Sequence, residues 1–140
     1  MPKPRCALRD QHNAFHLAIP VRDLDEAQDF YVAKLGCHLA RRYDDRITVD
    51  FFGDQVVCHL TPDHDPGPLT LYPRHFGVTF ARRQDYADLL RLIETRSLKV
   101  FQASQLRFEG MVEEHETIVV EDPSGNLLEF KHYRDPRMMY

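Results

Sequence analysis

The sequence runs twice through the same order of predicted elements: a strand, a helix and three more strands. In the first half the strand candidates lie at about 14–21, 37–42, 46–52 and 55–61. In the second half they lie at about 74–80, 98–103, 115–121 and 126–133. We therefore predict an α+β fold built from two similar modules in a single domain spanning 1–140. Module one covers about 14–61, a proline-rich linker covers 62–73, and module two covers about 74–133.

Each half has one amphipathic helix after its first strand. In the first half, "RDLDEAQDFYVAKLG" offers Asp23 as the N-cap, with Glu26 three residues later, and Gly36 as the stop. In the second half, "RRQDYADLLRLIETRS" carries apolar residues at helical spacing. Both helices can therefore cover one face of a sheet.

Composition excludes several classes of protein. A net charge of −4 over 140 residues argues against a nucleic-acid surface, and no apolar run approaches the length of a membrane span. The N-terminal segment carries no secretory signal pattern, so we expect a cytoplasmic protein. Cys6, Cys37 and Cys58 form no CxxC pair, and their odd number argues against a disulfide framework.

Histidines occupy equivalent places in the two halves. His16 lies in "FHLAIPV" and His75 in "RHFGVTF", 59 residues apart. Taken alone, His75 reads as a satisfied core histidine or as a ligand-binding one. Glu129 lies in the last strand, where its period-two face also carries Leu127 and Lys131. Two imidazoles and one carboxylate form a set that binds Fe(II), Mn(II) and similar ions with open coordination positions.

Glu129 and His59 also have structural interpretations that involve no metal. Glu129 could lie on an outer face and pair with Lys131 or Arg134. His59, in "VVCHLTP", could simply face solvent at the end of a strand. It is also expected to be the counterpart of Glu129 in the first half.

Three stretches carry a family resemblance: "FHLAIPVRDLDEAQDFYVAKLG", "HFGVTF" and "VEDPSGNLLEFK". They resemble the vicinal oxygen chelate superfamily, which includes glyoxalase I, the type I extradiol dioxygenases and the bleomycin- and fosfomycin-resistance proteins. The nearest resemblance is to small bacterial proteins described as predicted extradiol dioxygenases. It implies paired βαβββ modules with curved mixed sheets around a metal cleft. It also implies that His16, His75 and Glu129 are the metal ligands.

The resemblance implies a first functional hypothesis, an Fe(II)-dependent ring-cleaving dioxygenase acting on a small catechol-like diol, with Mn(II), Ni(II) or Zn(II) as alternative metals. His59 would then be an acid–base group, as a histidine near this point is in extradiol enzymes. Val119 stands where those enzymes carry a tyrosine, and His115 on the same predicted face could replace it. Other candidate catalytic or substrate residues are Arg107, Phe108 and Tyr133.

Two alternatives follow from the same resemblance. In a glyoxalase I-type lyase or isomerase, His59 would be a fourth metal ligand. In a binding or resistance protein of the bleomycin-sequestering kind, the cleft would hold a small molecule without metal. We also expect residues 102–116 to form a loop over the cleft, and we expect a homodimer with no nucleic-acid or membrane partner.

Overall fold

The computed structural model describes residue 10 and residues 12–140 and contains two βαβββ modules. The first module consists of β1 His16–Val21, α1 Leu24–Gln28 with its π-helical continuation Asp29–Lys34, β2 His38–Arg42, β3 Arg46–Phe51 and β4 Asp54–Leu60. The second consists of β5 Phe76–Thr79, α2 Arg83–Thr95, β6 Lys99–Arg107, β7 His115–Glu121, β8 Leu127–Tyr133 and a short 3-10 helix, Pro136–Met139. The α+β class and the doubled order of elements are confirmed. Cys6 lies outside the described residues.

The first helix begins and ends where its sequence signals predict. The Asp23 carboxylate accepts a hydrogen bond from the backbone N–H of Glu26 at 2.8 Å, as an N-cap does. Gly36 has φ +89°, a conformation that suits glycine after the last turn. The switch to π-helical geometry after Gln28 has no signal that the sequence pattern would reveal.

Each module forms its own four-stranded mixed sheet. The strand orders are β1-β4-β3-β2 and β5-β8-β7-β6. In both sheets the first strand runs parallel to the last one, while the other neighbours run antiparallel. Among the strands described, β1 and β5 therefore lie at equivalent edges of the two sheets.

One face of each sheet packs into a common core. The buried side chains of Tyr31 and Tyr86 pack the two helical segments against this core. Phe51 links the two modules through ring contacts with Phe76 and Phe130. Because successive strand residues point to opposite faces, the alternate side chains lie on the other face of each sheet. In the second sheet that other face is largely polar.

Two sequence expectations need correction. His75 was placed inside a strand, but β5 starts one residue later and His75 belongs to the end of the linker. Residues 102–116 were expected to form a loop, but β6 extends to Arg107, and only the stretch 108–114 connects it to β7. Cross-strand pairing with β7 holds this polar stretch in a sheet, despite two register shifts. No helix in the described part of the chain is long and apolar enough to cross a membrane.

Candidate metal centre

The polar face of the second sheet is organised in cross-strand rows. Residues directly opposite each other on neighbouring strands share a face. One row joins Gly77, Glu129, Val119 and Gln102; the next joins Thr79, Lys131, Thr117 and Gln105; the third joins Tyr133, His115 and Arg107. Rows two residues apart along a strand are separated by about 7 Å. The face therefore offers an ordered surface of polar groups that extends from Glu129 toward Tyr133.

His75 and Glu129 form the centre of this face. Nε2 of His75 lies 3.1 Å from Oε2 of Glu129, and both side chains are largely buried, at 25% and 12% exposure. Nδ1 of His75 lies 2.7 Å from the carbonyl oxygen of Leu71. Because a carbonyl only accepts, Nδ1 carries the hydrogen, and Nε2 faces the carboxylate. Glu129 thus contacts His75 rather than Arg134, which binds Glu114, or Lys131, which contacts Tyr133.

The arrangement of these two atoms fits a divalent metal. An imidazole nitrogen without a hydrogen and a carboxylate oxygen are both acceptors. When they face each other, a proton or a cation must lie between them to bind both. Two ligands at right angles, each about 2.1 Å from an ion, lie roughly 3.0 Å apart. The observed separation of 3.1 Å matches this value, and it equally matches a hydrogen bond from a protonated imidazole to the carboxylate. The hydrogen bond from Nδ1 to Leu71 also fits, since ligating histidines donate their other ring N–H to an acceptor.

Thr117 orients the carboxylate of Glu129. Its hydroxyl donates to Oε1 at 2.9 Å, while Oε2 faces His75. The threonine lies on β7, one row away from Glu129 and diagonal to it. One oxygen is therefore held in place and the other is directed toward the histidine.

Gly77 allows β5 to come close to Glu129. The two residues are paired, and a Cβ at position 77 would lie 1.8 Å from the carbonyl oxygen of Glu129. Any larger residue would therefore push the two strands apart. Since His75 precedes Gly77 by two residues, this close approach also fixes how near the imidazole lies to the carboxylate.

His16 lies on the other sheet, opposite Gln55. Its Nδ1 lies 2.6 Å from Oε1 of Gln55, on the exposed side of β1. Across the described residues, no three His, Cys, Asp or Glu side chains are close enough to hold one ion. Within one chain the structure thus brings together His75 and Glu129 but does not bring His16 to them. The three-ligand set stays a prediction.

His59 occupies a different place from the one expected. Leu17 pairs with Val56 in the first sheet as Phe76 pairs with Leu128 in the second. If His16 corresponds to His75, the counterpart of Glu129 is Val57, and His59 corresponds to Lys131. The expected equivalence of His59 and Glu129 is therefore wrong, because the strand pairing displaces it by two residues. The side chain of His59 is exposed.

The four candidate substrate residues of the second module lie together. His115 pairs with Arg107 on one side and with Tyr133 on the other. The rings of His115 and Tyr133 are 4.6 Å apart, those of His115 and Phe108 are 5.8 Å apart, and the Arg107 guanidinium lies 5.4 Å from the Phe108 ring. As expected, His115 shares a face with Val119. This aromatic group lies two rows, about 13 Å, from Glu129.

Sequence reasoning missed three residues of these sites: Gln55, Thr117 and Lys131. Gln55 contacts His16, Thr117 contacts Glu129, and Lys131 lies on the same face between Glu129 and Tyr133. The alternation of β8 already placed Lys131 beside Glu129. Gln55 and Thr117 could be found only from the pairing register of neighbouring strands.

Comparison with known proteins agrees with this architecture. The profile of the Glyoxalase/Bleomycin resistance protein/Dioxygenase superfamily matches residues 14–130. The crystal structure of a glyoxalase/bleomycin resistance protein/dioxygenase from Alicyclobacillus acidocaldarius is 57% identical, with a TM-score of 0.89, over 95% of this chain and 100% of that one. No curated protein matches the chain.

Two more distant structures share the fold. The fosfomycin resistance protein FosX from Listeria monocytogenes is 13% identical with a TM-score of 0.69, over 86% of this chain and 92% of its own. A lactoylglutathione lyase from Agrobacterium tumefaciens is 16% identical with a TM-score of 0.65, over 93% of this chain and 96% of its own. At these identities the similarity concerns the fold alone.

Proposed function

Because this chain belongs to the Glyoxalase/Bleomycin resistance protein/Dioxygenase superfamily, we propose that it is a metal-dependent, extradiol-type ring-cleaving dioxygenase. Its substrate would be a small catechol-like vicinal diol. The observation that carries the proposal is the convergence of His75 Nε2 and Glu129 Oε2 at 3.1 Å, each with its other polar atom held by a neighbour. Fe(II) is the first choice of metal, with Mn(II), Ni(II) or Zn(II) as alternatives.

The metal would be held by residues of two chains. His75 and Glu129 would come from one copy, and His16 would come from the edge strand β1 of a second copy in a homodimer. The equivalent edge positions of β1 and β5 support this pairing, since each edge can accept a neighbouring strand. Three protein ligands leave three of the six positions of an octahedral ion for a chelating diol and dioxygen. The bound ion supplies Lewis acidity and a redox centre.

Gln55 favours the dioxygenase over a lyase or isomerase. It contacts His16, so it is the residue best placed to be an additional ligand. A carboxamide cannot serve as the carboxylate base that a glyoxalase I-type reaction uses, and Val57, the counterpart of Glu129, carries no polar group either. His59 lies on the same face of β4, four residues and thus about 13 Å further along the strand. This separation supports a role of His59 near the substrate rather than as a fourth ligand.

The remaining polar groups of the cleft would contact the part of the substrate that lies away from the metal. Nδ1 of His115 lies 2.9 Å from the carbonyl oxygen of Glu113, so Nε2 is the nitrogen able to accept a proton. Tyr133 packs against the His115 ring. Both residues share a face with Val119, which lies beside Glu129 where extradiol enzymes carry a tyrosine. In the proposed reaction both oxygen atoms of dioxygen enter the substrate and one ring C–C bond breaks, so no external reductant is consumed.

Oxygen uptake by the metal-loaded protein tests the proposal. Protein loaded anaerobically with Fe(II) is mixed with a panel of catechols, and oxygen consumption is compared with loss of the catechol. We expect one dioxygen per catechol and loss of turnover in Glu129→Gln. Glu121→Gln is the matched control, because Glu121 is also a carboxylate on this sheet but forms an ion pair with Lys99 and does not contact His75.

Other results would select one of the alternatives. Turnover of a hemithioacetal without oxygen, with no oxygen uptake from any catechol, would assign the chain to the lyases. Failure to bind any of the four metals, measured by elemental analysis after dialysis, would instead support a metal-free binding protein.

A further inference from the structure

Lys131 and Arg107 are cations on the polar face of the second sheet. We propose that they bind a carboxylate substituent of the substrate, so that the enzyme selects catechols bearing an anionic group. This inference rests on the proposed function and narrows its substrate class. It is carried by the position of the two cations, by the absence of acidic partners for them among the described residues, and by the aromatic rings beside them.

Lys131 lies one row from the candidate metal ligand Glu129. The two residues share a face of β8, two positions and therefore about 7 Å apart. A planar ring whose diol is held next to Glu129 would extend along this face toward Tyr133. A substituent on the far side of the ring would then lie at the row of Lys131.

Neither cation has an acidic partner within the described residues. Other basic side chains of this sheet form ion pairs, such as Lys99 with Glu121 and Arg134 with Glu114. Lys131 instead contacts Tyr133, with Nζ 3.5 Å from the hydroxyl and 5.5 Å from the ring centre. A half-buried ammonium without a counter-charge is a favourable position for an anion that a ligand brings.

Arg107 provides the second positive group at the outer end of the cleft. It lies on the edge strand β6 opposite His115, and its guanidinium rests over the Phe108 ring. The side chain is exposed, so it can reorient toward an incoming anion. In this proposal Lys131 contacts the carboxylate of the substrate. Arg107 attracts the anionic substrate to the entrance of the cleft.

Aromatic groups line the path between the two cations. His115 and Tyr133 lie ring to ring at 4.6 Å, and Phe108 adds a third ring at 5.8 Å from His115. Such rings pack against a planar aromatic ligand as it approaches Lys131 from the outer end of the cleft, without adding charge. Cations at the end of an aromatic path select an aromatic acid rather than an inorganic anion.

Two matched substrates test this inference: catechol-4-carboxylate and its methyl ester, with turnover followed by oxygen uptake. In the unmodified protein we expect kcat/KM for the acid to exceed that for the ester by about tenfold. In Lys131→Met this ratio should fall toward one, mainly through a higher KM for the acid. Arg107→Gln should weaken the salt dependence of kcat/KM for the acid. Lys99→Met, which removes an outlying cation of the same sheet, should leave the ratio unchanged.

A binding measurement separates failure of this inference from failure of the proposed function. 4-Hydroxybenzoate carries the carboxylate but not the vicinal diol, and its binding to the metal-loaded protein is measured by calorimetry. If no catechol is turned over, but binding occurs and is lost in Lys131→Met, the anion site stands and the proposed reaction falls. If acid and ester are turned over equally, or if Lys131→Met leaves their ratio unchanged, the reaction stands and the anion site is overturned.

Discussion

The hydroxyl of Tyr31 donates a hydrogen bond to Oδ2 of Asp122 at 2.7 Å, joining the helix of one module to the β7–β8 turn of the other. Both residues are buried. Asp122 also accepts from the backbone N–H groups of Ser124 and Asn126, and the Asn126 amide bonds both to Asp122 and to the carbonyl oxygen of Pro20. This network sets the position of the second module against β1.

Removal of the Tyr31 hydroxyl should destabilise the protein. Burial raises the pKa of Tyr31 well above its ordinary value, and the negative charge of Asp122 adds to this, so the hydroxyl remains a donor. Tyr31→Phe leaves a buried carboxylate with one donor fewer, and we expect a loss of about 1–3 kcal/mol in the free energy of unfolding. Urea denaturation measures it. Tyr43→Phe, at an exposed tyrosine, is the control, and equal effects of the two changes would contradict this reading.

The thiols of Cys37 and Cys58 should be protected in the native protein. Burial, the larger cause in each case, raises the pKa of both thiols from 9.0 to about 12; the nearby charges of Asp50 and Asp122 add to the shift. Iodoacetamide at pH 8 should therefore label both cysteines slowly in the folded state and rapidly in urea, as read by mass spectrometry.

The same shifts predict a pH dependence of stability. The folded pKa is higher than the unfolded one, so the folded state keeps protons that the unfolded chain releases. This contribution to stability is complete below pH 9 and is lost as pH rises toward 12. The melting temperature should fall over that range, and Cys58→Ala should make the fall less steep. An unchanged slope in the variant would contradict the assignment.

Thr117 should control metal affinity through the orientation of Glu129. Thr117→Val keeps the shape of the side chain but removes the 2.9 Å hydrogen bond to Oε1. We expect metal affinity to fall by about 10–100-fold, as for other groups that orient a ligand. Equilibrium dialysis with Mn(II) measures this. Thr95→Val, which changes only an exposed helix end, should bind Mn(II) as the unmodified protein does.

Mixed dimers should reveal whether each site takes ligands from two chains. In a heterodimer of His16→Ala and Glu129→Ala chains, one site lacks both changed ligands and the other keeps all of them. Random mixing should therefore restore metal binding to about a quarter of the unmodified level. His75→Ala mixed with Glu129→Ala should restore none, since both ligands come from the same module. Absence of recovery in the first mixture would place all three ligands within one chain.

The second sheet shows which neighbours of a strand residue can be predicted from the sequence pattern. Alternation along β8 correctly grouped Glu129 with Lys131, because the period of a strand is a local property. The sequence pattern did not predict the position of His59 correctly. The residue equivalent to Glu129 is Val57, two residues before His59. Alternation also did not reveal Thr117 beside Glu129, because cross-strand neighbours depend on register, which no single strand encodes.

The sequence by itself determined the α+β class, the doubled order of elements and the boundaries of the first helical segment, since hydrophobic periodicity and capping residues act locally. It also picked out His75 and Glu129 as partners through a family resemblance. Only the tertiary structure decided that these two meet at 3.1 Å while His16 lies on the other sheet with Gln55. That outcome depends on the close approach of β5 and β8 at Gly77 and on the packing of the two modules, which arise from contacts between residues far apart in the chain.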